Sequence, residues 1–151
     1  MRSMVVAALA TVCGTSLVAA CATVEEAVVE KTAETYRATL TGAQEPGAAG
    51  DPDGYARVEI SIADKLDQIC WDLNDVRNIG PITAAHIHRG APGVNGPPVF
   101  TLKPANEGGW KGCAAKSEWT QDRIENNPEA FYVNVHTAEY PNGAIRGQLQ
   151  R

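Results

Sequence analysis

Tyr55-Ala56-Arg57-Val58-Glu59-Ile60-Ser61-Ile62-Ala63 alternates without a break: Val58, Ile60 and Ile62 share one face, Arg57, Glu59 and Ser61 the other. A period of two is that of a strand with one side on a core and one side in water. Gln68 to Val76 repeats it, with Ile69, Trp71 and Leu73 inward and Cys70, Asp72 and Asn74 outward. Only Asp64 to Asp67 separates the two runs, which are therefore predicted to form a hairpin. Upstream, Thr35 to Glu45 places Tyr36, Ala38 and Leu40 in phase, followed by a Gly/Pro loop through Gly54. Downstream, Ile82 to His88, Val99 to Lys103, Phe131 to Thr137 and Ala144 to Gln150 read as strands, the last two joined by a turn containing Asn142-Gly143. The stretch around Trp110 and Cys113 reads as irregular, and Thr120 to Asn127 as the one short helix of the domain.

A chain of 151 residues supports one core, and 14 Gly with 9 Pro between short apolar runs disfavour a helical bundle. The expected fold is all-β: an antiparallel Greek-key β-sandwich or flattened barrel of about seven to eight strands with one short helix. Thirteen basic against 18 acidic side chains, with no basic block, exclude nucleic acid as an expected partner.

Residues 1–20 carry a single charge, Arg2, before an apolar run that ends in small residues, the outline of a signal peptide. Leu17-Val18-Ala19-Ala20-Cys21 resembles the bacterial lipobox, whose cysteine thiol takes a diacylglyceryl group and becomes the new N-terminus. The resemblance implies lipidation at Cys21, residues 21–34 as lipidated Cys and tether, and 35–151 as the folded domain. The expected location is extracytoplasmic, anchored in the cell membrane or outer membrane. Cys13 leaves with the signal, so Cys70 and Cys113 remain, either as a disulfide formed in an oxidising compartment or as two buried thiols.

Three separated segments resemble the CHRD (chordin-type) domain family. They are Leu40-Thr41-Gly42-Ala43-Gln44-Glu45-Pro46, then Ala84-Ala85-His86-Ile87-His88-Arg89-Gly90-Ala91-Pro92-Gly93-Val94-Asn95-Gly96-Pro97, and finally Tyr132-Val133-Asn134-Val135-His136-Thr137 with Pro141-Asn142-Gly143-Ala144-Ile145-Arg146-Gly147-Gln148-Leu149. The resemblance implies an all-β extracytoplasmic domain. Bacterial members are mostly small secreted or anchored proteins of unassigned role, and the growth-factor antagonism of animal chordins is not carried over. Ala144 stands where an acidic residue is common, at what reads as an exposed strand start.

His86, His88 and His136 are the only histidines in the chain. Strand phase puts His86 and His88 on one face, with Ile87 toward the core. In the later strand Phe131, Val133 and Val135 form the apolar set, leaving Tyr132, Asn134 and His136 on the polar face. If the two strands are neighbours, three neutral imidazoles converge, a donor set suited to copper or zinc. The competing reading is three surface histidines that hydrogen-bond the Arg89 to Pro98 loop. With both cysteines paired and no methionine beyond Met4, any site is nitrogen and oxygen only, its fourth position open to water, Tyr132 or a carboxylate. His86-Ile87-His88, Val135-His136, Asn142-Gly143 and Arg146 also resemble the ligand strands of copper-zinc superoxide dismutase. No further histidine exists for a second metal, so that resemblance implies at most a mononuclear copper redox enzyme with Arg146 attracting an anion.

Arg146, Gln148 and Asn134 are expected in an outward polar network or on a solvated sheet face. Asp51 and Asp53 are candidate calcium ligands or turn residues; Trp71, Trp110 and Trp119 could line a groove or fill the core. No nucleophile elbow, phosphate loop or His-Glu-x-x-His motif is present. Three functions remain: a membrane-anchored binding module with a copper or zinc site, the mononuclear redox enzyme, or a purely structural envelope domain whose interaction surface is the opposite sheet or the Arg89 to Pro98 loop. The expected partners are the membrane, a metal ion and an unidentified envelope protein or ligand.

Overall fold

The structure is a computed structural model that describes residues 33–115 and 124–151. The signal peptide, Cys21, nearly all of the tether and Trp119 lie outside the described residues. Eight strands run β1 (Glu34–Thr41), β2 (Tyr55–Ala63), β3 (Gln68–Arg77), β4 (Ile82–Arg89), β5 (Pro98–Leu102), β6 (Trp110–Ala115), β7 (Phe131–Thr137) and β8 (Ile145–Gln148). All pair antiparallel in one sheet of order β5-β4-β7-β8-β1-β2-β3-β6.

The sheet curls into a nearly closed barrel. Its edges β5 and β6 come together around Trp71, whose ring meets Phe100 edge-on at 5.6 Å and whose Nε1–H donates to the Lys103 carbonyl at 3.1 Å. Because β4 does not lie beside β3, nor β7 beside β6, the path is a Greek key. Of the two expected forms, the flattened barrel is the one adopted.

The period-two reading fixes the core correctly. Tyr36, Leu40, Val58, Ile60, Ile62, Ile69, Ile87, Phe131, Val133 and Val135 are all buried inside the barrel. Each fully buried aliphatic side chain contributes on the order of 1.5–3 kcal/mol of transfer free energy. The hairpin through residues 64–67 forms as expected, with Ala63 paired to Gln68.

Three local expectations change. The first strand stops at Thr41, not Glu45: the chain turns into a 3-10 turn, Gly42–Gln44, where a Cβ on Gly42 would lie 1.8 Å from the Asp51 carbonyl oxygen. The stretch around Trp110 and Cys113 is a strand, not irregular. Its run Trp110-Lys111-Gly112-Cys113-Ala114-Ala115 has no apolar period of two, and β3 specifies it instead: Gly112 lies against the Trp71 ring, and Cys113 faces Cys70 in register and is bonded to it. Ala144 is fully buried rather than exposed, its N–H donating to Val135 and its carbonyl accepting from Asp51. Residues 124–126 of the expected helix are helical, with Ile124 in the core; residues 120–123 lie outside the described part.

Candidate metal centre

β4 and β7 are neighbours, with His86 opposite Asn134, His88 opposite Tyr132 and Ala84 opposite His136. Alternation sends Ala85, Ile87, Val133 and Val135 into the core and leaves the three imidazoles on the outer face. One ligand nitrogen from each of His86, His88 and His136 lies within 4.8 Å of the others. The rings stand 5.2 Å (His86 and His136), 5.7 Å (His86 and His88) and 6.4 Å (His88 and His136) apart between centroids. Among the described residues this is the one group of His, Cys, Asp or Glu side chains close enough to hold an ion.

The tautomers follow from backbone partners. His88 Nδ1 is 2.9 Å from the Gly96 carbonyl oxygen, and His136 Nδ1 is 3.1 Å from that of Pro141. A carbonyl only accepts, so both Nδ1 atoms carry the proton and both Nε2 atoms present a lone pair. His88 Nε2, His136 Nε2 and His86 Nδ1 are buried without a hydrogen-bond partner. Buried nitrogens left bare are costly, and a carbonyl that holds the far ring nitrogen is what usually orients a metal-binding histidine. Burial pushes all three histidines below their ordinary value; the His136 charge adds to this at His86, while the Gly96 and Pro141 hydrogen bonds oppose it at His88 and His136. Near neutral pH the three rings are uncharged, the form that binds metal.

The polar face beside the histidines is not solvated, contrary to the expected outward network. Tyr132, Asn134 and Arg146 are buried under two loops. Arg146 Nη2 donates to the carbonyls of Ala91 (2.9 Å) and Val94 (3.0 Å), and its Cζ sits 3.3 Å from the centre of the Tyr132 ring. Tyr132 stacks on His88 at 4.9 Å, and its hydroxyl accepts from Gly96 N–H at 3.1 Å. Gln148 Nε2 donates to Gly90 O and Glu129 O, both at 2.7 Å. Residues 90–97 are thus a strap bound down across β7 and β8. Arg146 clamps this strap and does not reach into solvent as an anion attractor would.

Glu45, a member of the first CHRD-like segment, was not singled out from sequence. Its carboxylate accepts from Asn134 Nδ2 at 2.8 Å, and a Cβ on Gly143, whose φ is 138°, would lie 2.6 Å from Glu45 Oε1. Burial raises Glu45 to about 6, against the pull of Arg146 and the Asn134 hydrogen bond. A lone glutamate in an otherwise small, apolar turn sequence was the available signal.

Asp51 serves a turn: its N–H donates to Ala144 O and its carbonyl accepts from Gly54 N–H. Asp53 is exposed, and neither acid joins a group able to hold an ion. Trp71 belongs to the core and Trp110 packs against it.

Fold and site together define an all-β Greek-key domain with a three-histidine cluster on its outer wall. The sequence matches the CHRD domain family over residues 36–149, and the chain belongs to that family. No curated protein and no solved structure matches it.

Proposed function

We propose that this CHRD domain is an extracytoplasmic binding module, held to a membrane through lipid on Cys21, that binds one copper or zinc ion through His86, His88 and His136. Two observations carry this reading: one ligand nitrogen from each of the three histidines lies within 4.8 Å of the others, and each ring has a buried nitrogen without a hydrogen-bond partner. Histidines that merely brace a loop have no reason to cluster from two strands with a bare, buried nitrogen on each ring. All three donors are closed to solvent, which supports holding an ion over turning over a substrate at an open coordination position.

Metal analysis of the full chain after loading should give one ion per chain. His136→Ala should remove it, whereas Asp51→Ala and Asp53→Ala should leave it in place. Equal loading of the His136→Ala protein would overturn the reading. Membrane attachment is tested separately: Cys21→Ser should release the protein into the soluble fraction, and mass spectrometry finding Cys21 unmodified on the mature chain would refute the anchor.

A further inference from the structure

We infer that the ion this site prefers is copper(I), held by the three imidazoles alone, rather than zinc or copper(II); the inference rests on the metal-site reading above. Coordination number decides between the candidates. Zinc takes four ligands, the fourth at a three-histidine site being water or substrate, and copper(II) favours a tetragonal set of nitrogen and oxygen donors. Here the protein offers three nitrogens, and among the described residues no carboxylate or thiolate joins them. The bare nitrogens themselves are closed to solvent, and no further protein side chain among the described residues stands ready as a fourth donor. Tyr132, a fourth ligand in principle, is committed elsewhere, its hydroxyl engaged by Gly96 and its ring packed between His88 and Arg146.

Charge acts in the same direction. The three ligands are neutral, and the buried Arg146 guanidinium packs on the far face of the Tyr132 ring that stacks on His88, so its field reaches His88. Glu45, the acid that could balance it, is turned toward Asn134. In a site screened from water each added positive charge is opposed, so a monovalent ion is disfavoured less than a divalent one. A filled-shell copper(I) ion is stable with three ligands and imposes no tetragonal geometry. Lack of a thiolate weakens the absolute affinity for copper(I), leaving coordination number and charge to set the preference.

The full chain in detergent is titrated without oxygen, with copper(I) supplied from a bicinchoninate complex and zinc from a chromophoric zinc chelator. The expected result is one copper(I) per chain, bound at least about 100-fold more tightly than zinc. X-ray absorption should then show three nitrogen neighbours at roughly 2.0 Å and no oxygen. His136→Ala should lower the copper(I) affinity sharply and leave two nitrogens in the spectrum. Zinc bound as tightly as copper(I), or an oxygen ligand completing a four-coordinate site, overturns the inference and leaves the metal site standing. Binding of neither metal, or binding indifferent to His136→Ala, overturns both.

Discussion

Glu45→Gln should stabilise the protein at neutral pH. In the folded state the carboxyl is raised from its ordinary 4.5 to about 6, chiefly because burial disfavours its charge. A rise of that size corresponds to about 2 kcal/mol. The carboxyl holds its proton more tightly folded than unfolded, so its contribution is greatest below about pH 4.5 and is lost as pH rises through about 6. The histidines oppose this. Their folded values are lowered, so the stability they contribute is present above the ordinary 6.5 and is lost as pH falls through the lowered values. Because the two trends partly cancel in the parent protein, the informative quantity is the difference between parent and variant. Glutamine keeps the acceptor for Asn134 Nδ2 and carries no charge to desolvate. Urea unfolding followed by tryptophan fluorescence should place the variant up to about 2 kcal/mol above the parent near pH 7, roughly 1 M in midpoint, with the two converging near pH 4. A variant less stable than the parent at pH 7, or a difference that does not change with pH, would refute the argument that burial outweighs Arg146 at this site.

Arg146→Met removes both hydrogen bonds to the strap and leaves Glu45 without its cationic neighbour, so a loss of about 3 kcal/mol and new proteolytic cleavage within residues 91–97 are expected; a loss under about 1 kcal/mol would show that the clamp is dispensable. Replacing Cys70 and Cys113 together by Ser opens a bridge between residues 43 positions apart and should cost about 4 kcal/mol on loop entropy, read as a lower urea midpoint. An unchanged midpoint would mean that β3 alone retains β6. Bound metal should be kept as pH falls through the ordinary histidine value and released only below it, since burial lowers all three imidazoles and protons compete late for their nitrogens. Release already complete at pH 6.5 in a metal-monitored titration would contradict this.

The strands with a strict apolar period were legible because burial on one face leaves a period-two trace. β2 and β7 lie at the residues expected, and the phase of β4 and β7 placed the histidines on one side. What alternation could not show was that β4 and β7 are neighbours; the CHRD-like segments supplied order, not adjacency. β6 was missed because Gly112 stands where an apolar residue would mark the period, and its pairing is set by Trp71 and Cys70 across the sheet. The roof over β7 and β8 was also missed. Tyr132, Asn134 and Arg146 carry polar atoms and so read as solvent-facing, yet carbonyls of residues 91, 94 and 96 and the Glu45 carboxylate surround them. Polarity in a sequence marks a need for hydrogen bonds, and a loop can meet that need as well as water can.

That roof explains how ring nitrogens on the outside of a barrel can still be shielded from solvent. The interior is filled by aliphatic and aromatic side chains, and the histidine cluster is built on the outer wall. An outer wall is normally wet, and water would compete for every ring nitrogen placed there. Here the strap at residues 90–97 and the turn around Pro141 each hand one carbonyl to a histidine, fixing its tautomer while covering its flank. The same strap is held by Arg146, Gln148 and Tyr132, so the orientation of His88 depends on residues two strands away in the sheet. His86 has no such brace: its Nδ1 is bare, and no hydrogen bond ties its ring among the described residues. Two of the histidines are therefore oriented by loop carbonyls, and the third only by the edges of its two imidazole neighbours.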